Sequence, residues 1–483
     1  MPQNKIQNIT NLVKQISDKE IISINKLAQS ASYREYYRIT FSDNESIIGT
    51  YNEDYKENVA FINFSKTFLA KKLNVANILA VDLDNSIYLL EDLGSFTLFD
   101  ILNKERKSDK IPDKIIKLYK KSLKQLIDFQ LIGNALDYGD AYPRQAFDEQ
   151  SMFWDLNYFK YYFLKLAKIP FDEQLLENDF EHFSEHLLSY NTNFFMYRDF
   201  QARNIMVKND NVYFIDFQGG RKGALQYDLA SILFNSKANL PLSLRNNLLE
   251  FYYKELRTKI DYDKGIFDQG FYAYALIRLL QAMGAYGFRG FYEKKSYFLN
   301  SIPFALKNLA FIITKFDYLK NLPELAKVLN NILQNEKLKE YGEEKSEKLK
   351  IKITSFSYKK GLPVDTTEHG GGFVFDCRSI HNPGRYDQYK KLNGLDKAVI
   401  AFLDKEKEMD DFIENSFALV DKAVEKYLSR GFNYISVSYG CTGGQHRSVY
   451  SAQKLYNYLK EKYDVIVEVN HREQDILKLH RGC

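Results

Sequence analysis

A chain of 483 residues with 45% hydrophobic content is long enough for roughly three globular units at about 100–200 residues each. A net charge of +4 with 27% charged residues gives no case for a nucleic-acid or membrane partner. Three cysteines, Cys377, Cys441 and Cys483, are too few for a disulfide framework, no window approaches the apolar length of a membrane span, and MPQNKIQNITNLVKQ lacks an apolar signal core, so a cytoplasmic location is expected.

In chain order, Gln29 to Ile39 (QSASYREYYRI) reads as a loop with no glycine, carrying Ser30, Ser32, Arg34 and Arg38. The extended segment Ser46 to Asn52 holds no lysine. Ile87-Tyr88-Leu89-Leu90 reads as a strand running into Glu91-Asp92-Leu93-Gly94. In MYRDFQARNIMVKNDNVYFIDFQGG, Asp199 and Asn204 lie five positions apart on a loop, and Asp216 ends the apolar run Val212 to Ile215, so a strand delivers its carboxylate to the same place. A transferred phosphoryl group stays anionic, so its chemistry needs positioning and neutralisation. Asn204 and Asp216 supply the oxygens that suit Mg2+, and Asp199 is left to orient an acceptor hydroxyl and take its proton.

Farther on, Arg278 to Arg289 is apolar enough for a buried helix and ends in glycines, an aromatic and an arginine. Pro303 to Leu333 reads as helical. Residues 336–350, with ten charged residues of both signs, read as a solvated linker before the extended segment that starts at Ile351. Glu368-His369-Gly370-Gly371-Gly372 reads as a flexible loop. The β-branched run from Tyr434 enters the glycine loop Gly440 to Ser448 and then a helix, an arrangement that aims backbone N–H groups and a helix N-terminus at one point, as a phosphate requires. Cys441 to Arg447 also has the C-x5-R spacing of cysteine phosphatases, without an identifiable general-acid loop.

The segment R-D-x-x-x-x-N, then Asp216-Phe217-Gln218 and Tyr227-Asp228-Leu229-Ala230-Ser231, resembles the aminoglycoside phosphotransferase (choline kinase-like) superfamily, and within it the anomeric N-acetylmuramate and N-acetylglucosamine kinases of peptidoglycan recycling. That resemblance covers about residues 20–330 and implies an ATP-dependent sugar kinase of α+β bilobal, protein-kinase-like fold, with an N-lobe at 1–92 and a C-lobe at 93–333. It implies Asp199 as catalytic residue and Asn204 and Asp216 as metal ligands. Ser32, Arg34, Glu91 and Leu93 are expected around the nucleotide, and Arg203, Arg221 and Arg289 around the acceptor. Asp228 would be structural, tying the metal loop to the following helix. The missing strand lysine leaves an inactive kinase fold, serving as adapter or sensor, as an alternative.

After a linker at 334–350, residues 351–483 resemble the C-terminal domain of the RapZ family through G-C-T-G-G-x-H-R-S-V, Phe375-Asp376-Cys377-Arg378 and Asn382-Pro383. This implies an α/β domain whose strand–loop–helix binds an amino-sugar phosphate such as glucosamine-6-phosphate. Cys441, Thr442, Gly443, Gly444, Gln445, His446, Arg447 and Ser448 would bracket the phosphate, with Asp376 and Arg378 nearby. Gln445 stands where a lysine is expected and removes one cation. The RapZ family also binds RNA, for which the tail His471 to Arg481 is short and modestly basic. Joined, the halves read as an amino-sugar kinase coupled to an amino-sugar-phosphate domain, with a kinase/cysteine phosphatase as a further alternative.

Overall fold

The computed structural model describes residues 2–27, 34–106, 110–341, 348–364, 372–430 and 432–482. Two compact units form, Met1–Tyr292 with Ser301–Tyr341, and Glu293–Asn300 with Gly342–Cys483. Ser32 and most of the 368–372 insert lie outside the described residues.

The first unit begins with α1 (Pro2–Lys14), β1 (Ile21–Lys26), β2 (Glu35–Phe41), β3 (Ser46–Tyr51), α2 (Tyr55–Ala70), β4 (Ile78–Asp82) and β5 (Ile87–Glu91). The strands make one antiparallel sheet in the order β1-β2-β3-β5-β4. Side chains alternate across a strand, so Tyr37, Ile39 and Phe41 of β2 fall on one face with Ile87 and Leu89, where α1 buries Ile9, Leu12 and Val13 against them. Gly49 lets that helix approach, because a Cβ there would stand 3.0 Å from Ile9 Cγ2. Tyr36, Thr50 and Tyr88 are cross-strand partners on the opposite face. There Phe61 of α2 stacks on Tyr88 at 5.2 Å. Asp54 caps α2 by accepting from the Glu57 N–H.

The rest of the unit is mainly helical: α3 (Leu98–Glu105), α4 (Asp113–Leu131), α5 (Glu149–Phe159), α6 (Glu173–Leu188), α7 (Leu225–Leu233), α8 (Leu242–Arg257) and α9 (Lys264–Tyr286). Between α6 and α7 lie two short antiparallel ribbons, β6 (Phe194–Met196) with β9 (Arg221–Gly223), and β7 (Ile205–Lys208) with β8 (Asn211–Phe214). The ribbons hold the turns that carry Asp199, Asn204 and Asp216. Phe68, Phe129, Phe195, Tyr197 and Phe217 meet edge to face beneath them, at about 0.5–1.5 kcal/mol per pair beyond simple burial. After the short α10 (Ser296–Leu299), whose residues belong to the second unit, the expected helical stretch 303–333 is two helices, α11 (Ile302–Ile313) and α12 (Pro323–Gln334), separated by a 3-10 turn at Asp317–Asn321, with Pro323 at the first position of the second, where a proline can begin a helix. The one-turn α13 (Glu336–Lys339) follows.

The second unit is an α/β layer built from β10 (Lys350–Ser357), β11 (Phe373–Asp376), α14 (Lys397–Leu403), α15 (Lys407–Ser429), β12 (Tyr434–Cys441), α16 (Arg447–Lys462), β13 (Ile466–His471) and β14 (Ile476–His480). The sheet order is β11-β12-β10-β13-β14, with the first four strands parallel and β14 antiparallel. Val420 and Val424 of α15 and Leu455 and Leu459 of α16 complete a core with Ile351, Ile353, Val437 and Val467. A parallel sheet gathers its carboxyl ends, so Ser357, Asp376 and Cys441 finish along one edge.

Candidate active site

Asp199 and Asn204 sit on the turn between β6 and β7, and Asp216 follows β8. The Asn204 amide Nδ2 donates to Asp199 O at 2.9 Å and to Asp216 Oδ2 at 3.1 Å, so the three residues converge. Asp216 holds a left-handed backbone at φ +70°, and Arg198 does so at φ +82°, two strained positions of the kind that surrounding structure must enforce. At Arg198 the enforcement is visible. The buried Asp228 carboxylate accepts from the Tyr197 N–H at 2.6 Å and the Arg198 N–H at 2.9 Å, so it ties the Asp199 loop to α7. Tyr197, buried beneath, donates its hydroxyl to Ile215 O at 2.6 Å and braces the Asp216 turn.

Electrostatics fits a bound cation. Burial pushes the Asp216 carboxyl above its ordinary range and the charge of Asp199 adds to the push, while Gln218 and the charges of Arg34 and Arg203 oppose it. A hard divalent ion relieves that crowding of negative charge, and the Asn204 carbonyl and Asp216 carboxylate are oxygen donors of the right kind. Among the described residues no group of three or more His, Cys, Asp or Glu could hold a metal ion, and Asn204 and Asp216 are the side chains that would hold one here.

Around Asp199, Gln201 Nε2 donates to Oδ1 at 3.1 Å and Arg278 Nη2 of α9 stands 3.8 Å away. Arg278 is itself aimed by Ser231 at 3.0 Å and Gln281 at 2.7 Å. Arg198 turns away from the reacting side, forming a two-pronged pair with Asp155 at 2.8 and 2.6 Å. Arg203 is exposed on the 3-10 turn beside Asn204. Arg221 is buried, donates to Gly219 O at 3.0 Å, and burial with the neighbouring Arg198 charge lowers its guanidinium to about 10. Arg289 lies in the turn Gly287–Tyr292 over the Phe288 ring.

At the end of β5, Glu91 accepts from Asn77 Nδ2 at 2.8 Å and pairs with Lys208, whose ammonium also donates to Asp92 O at 3.1 Å. Arg38 spans from β2 to this segment, donating to Asp92, Gly94 O and Ser95 Oγ. Its cation is therefore committed to the segment Asp92–Ser95. Leu93 is buried there. These polar groups line a cleft of about 640 Å3.

In the second unit, β12 delivers Cys441 to a loop in which Gly444 has φ +65° and a Cβ would strike Glu473 Cγ at 2.5 Å and Ser357 N at 2.8 Å, so only glycine fits. Thr442 and Gly443 are exposed. The next three residues turn to their own domain. Gln445 Nε2 donates to Lys390 O and Leu392 O, His446 Nε2 lies 2.9 Å from Tyr389 O, and Arg447 Nη1 donates to Arg378 O at 3.0 Å and Ile380 O at 2.6 Å. Cys441 Sγ is buried 3.1 Å from Ser448 Oγ. Asp376 and Arg378 form an exposed pair, with the guanidinium 4.0 Å from the Tyr358 ring centroid. The outward face of the loop is thus Thr442 and Gly443.

Residues 26–264 match the model of the phosphotransferase enzyme family, and residues 349–475 match that of the RapZ C-terminal domain. The chain joins a phosphotransferase domain to a RapZ C-terminal domain. The phosphotransferase domain has the bilobal, kinase-like fold of that family, and the RapZ C-terminal domain is the mixed α/β layer. Among curated relatives, a nucleotide-binding protein of Pseudothermotoga lettingae is 42% identical over 123 residues, 26% of this chain and 42% of that protein. One from Staphylococcus aureus is 34% identical over 170 residues, 33% of this chain and 54% of that protein. The chain therefore spans about half the length of the curated relatives it matches. Among solved structures, choline kinase LicA from Streptococcus pneumoniae aligns over 64% of this chain and 99% of its own at 16% identity and a TM-score of 0.44. Choline kinase from Cryptosporidium parvum aligns over 68% and 99% at 12% and 0.44.

Sequence reasoning missed Arg278 in the phosphotransferase domain, having favoured Arg289 eleven positions later on the same apolar run. It also missed Asp155, the partner of Arg198, since nothing in a helix of mixed composition marks one aspartate out. In the RapZ C-terminal domain it assigned Gln445 to Arg447 to a ligand, whereas their side chains hold the segment from Arg378 to Leu392. Among the described residues no helix is long and apolar enough to cross a membrane.

Proposed function

We propose that the phosphotransferase domain transfers the terminal phosphoryl group of ATP to a hydroxyl of a small amino sugar, the anomeric hydroxyl of N-acetylmuramate or N-acetylglucosamine in peptidoglycan recycling. The observation that carries this is the meeting of Asn204 and Asp216 at 3.1 Å beside a half-exposed Asp199. Mg2+, when bound by Asn204 and Asp216, supplies charge neutralisation at the phosphates. The chain's own residues do the rest. Asp199, oriented by Gln201, accepts the proton of the attacking hydroxyl. Arg278, with Arg203 and Arg221 in the same quarter, gives the acceptor side a positive wall, suited to a sugar that carries a carboxylate as N-acetylmuramate does. Backbone groups from Glu91 to Leu93 receive the base.

For the RapZ C-terminal domain we infer binding of an amino-sugar phosphate such as glucosamine-6-phosphate, with the phosphate on the Thr442–Gly443 backbone and Arg378 and Asp376 toward the sugar. The phosphatase reading is less well supported, because Arg447 donates to two carbonyls of its own domain. The test is incubation of the full chain with ATP, Mg2+ and a panel of amino sugars, locating new phosphate by 31P and 1H NMR. A phosphomonoester on the anomeric carbon of one sugar is expected. Turnover of choline or an aminoglycoside in its place would reassign the acceptor.

A further inference from the structure

β3 has no lysine, yet the first unit places a different cation where one is needed. Arg34 precedes β2, its side chain is 2% exposed, and its Nη2 lies 3.0 Å from Glu57 Oε2. Glu57 stands in the first turn of α2, where Asn52 Nδ2 also donates to it at 2.7 Å. The strand position facing this group is Thr50, whose neighbours across the sheet are Tyr36 and Tyr88. A threonine cannot reach a phosphate from there.

Three contacts locate Arg34 relative to the metal residues. Its guanidinium lies 5.9 Å from the centroid of Phe61, and Phe61 stacks at 5.0 Å on Phe217, the residue after Asp216. Arg34 Nη1 approaches the Tyr36 hydroxyl at 3.5 Å. A buried cation, paired to a helix carboxylate and linked through two ring contacts to the residue after Asp216, is the arrangement that phosphoryl transfer asks of the small lobe. Here it is built from the loop side of the sheet.

We propose that Arg34, held by Glu57 of α2, takes the place of the lysine absent from β3 and binds the nucleotide phosphates opposite Asp216. This rests on the phosphotransfer reading of the site. Guanidinium suits the role because it stays charged when buried and its planar donors match phosphate oxygens. The proposal also removes the main reason for regarding the domain as an inactive kinase fold, since the missing residue type is replaced by a stronger base at another sequence position.

The experiment compares ATP with adenosine, each with Mg2+, by calorimetric titration of the full chain and its variants. Wild type should bind ATP at least about 30-fold more tightly than adenosine, and Arg34→Ala should lose most of that difference while adenosine affinity stays within about twofold. Arg34→Lys should keep ATP affinity within about tenfold of wild type. Should Arg34→Ala fail to fold, Glu57→Gln, isosteric and on the helix surface of the pair, reads the same quantity through a weakened grip on Arg34. An Arg34→Ala or Glu57→Gln protein that binds ATP as wild type overturns the proposal alone, as does equal loss of ATP and adenosine. A wild-type chain that binds ATP no better than adenosine overturns it together with the phosphotransfer reading.

Discussion

Asp228→Asn separates what its carboxylate contributes from what its burial costs. Both oxygens accept backbone N–H groups, from Tyr197 and Arg198, and burial raises the carboxyl from its ordinary 3.8 to about 7. The asparagine turns one acceptor into an NH2 facing an N–H, which costs about 1–3 kcal/mol at every pH. The wild type carries a pH-dependent term as well. A carboxyl whose folded value is raised stabilises the fold fully below 3.8, and that stability drains away as pH climbs through about 7. Between pH 5 and 7.5 the loss is roughly 2–3 kcal/mol, a term the variant lacks. The variant is therefore less stable at pH 5 and closes most of the gap by pH 7.5. Trp154, the sole tryptophan, lies on α5 in the first unit, so its fluorescence during urea unfolding reports that unit alone. Burial depresses the His186 imidazole, but that effect is shared by both proteins and cancels in the comparison. A gap that stays constant from pH 5 to 7.5 would refute the reasoning.

Asp199→Asn should cut turnover by about 10^2–10^4-fold with its urea midpoint nearly unmoved, since the side chain is half exposed and an asparagine keeps an oxygen for Gln201; steady-state assays with matched unfolding curves check both halves. In the second unit, Arg378→Ala should weaken glucosamine-6-phosphate binding by about tenfold in calorimetry and leave the melting temperature alone, whereas Arg447→Ala should lower melting because two carbonyls, that of Ile380 buried, lose their donor. Burial lowers the His471 imidazole from 6.5 to about 4, so the unfolded chain binds the extra proton between those values and stability of that unit rises with pH across them. His471→Gln should flatten that rise in circular-dichroism melts.

Spacing made the meeting of Asp199, Asn204 and Asp216 readable. Asp199, Asn204 and Asp216 lie within eighteen residues, and two short ribbons are enough to bring them together. Arg34 was visible as a cation, but its partner Glu57 sits 23 positions away on α2, and no local pattern connects a loop arginine to a helix glutamate. The same limit applies to Arg278 and Asp199, 79 positions apart. In the second unit the glycine loop was legible from Gly440 to Gly444, where close approach demands glycine at Gly440 and positive φ with close approach demands it at Gly444. What Gln445, His446 and Arg447 face was not, because carbonyls of an irregular segment some 55 to 70 positions earlier leave no mark in composition. One expected helix is two, with a 3-10 turn at Asp317–Asn321 between them, a break that the apolar periodicity on either side concealed in the sequence.

We propose that Asn204 and Asp216 hold a divalent ion against a nucleotide, and calorimetric titration of ATP into the wild type and Asp216→Asn, each with Mg2+ and again with EDTA, is the sharpest check of it. Wild type should bind ATP at least about tenfold more tightly with Mg2+ than with EDTA, and the variant should show no such difference. Equal affinities for the wild type in the two buffers, or a Mg2+ effect that survives in Asp216→Asn, would contradict the account.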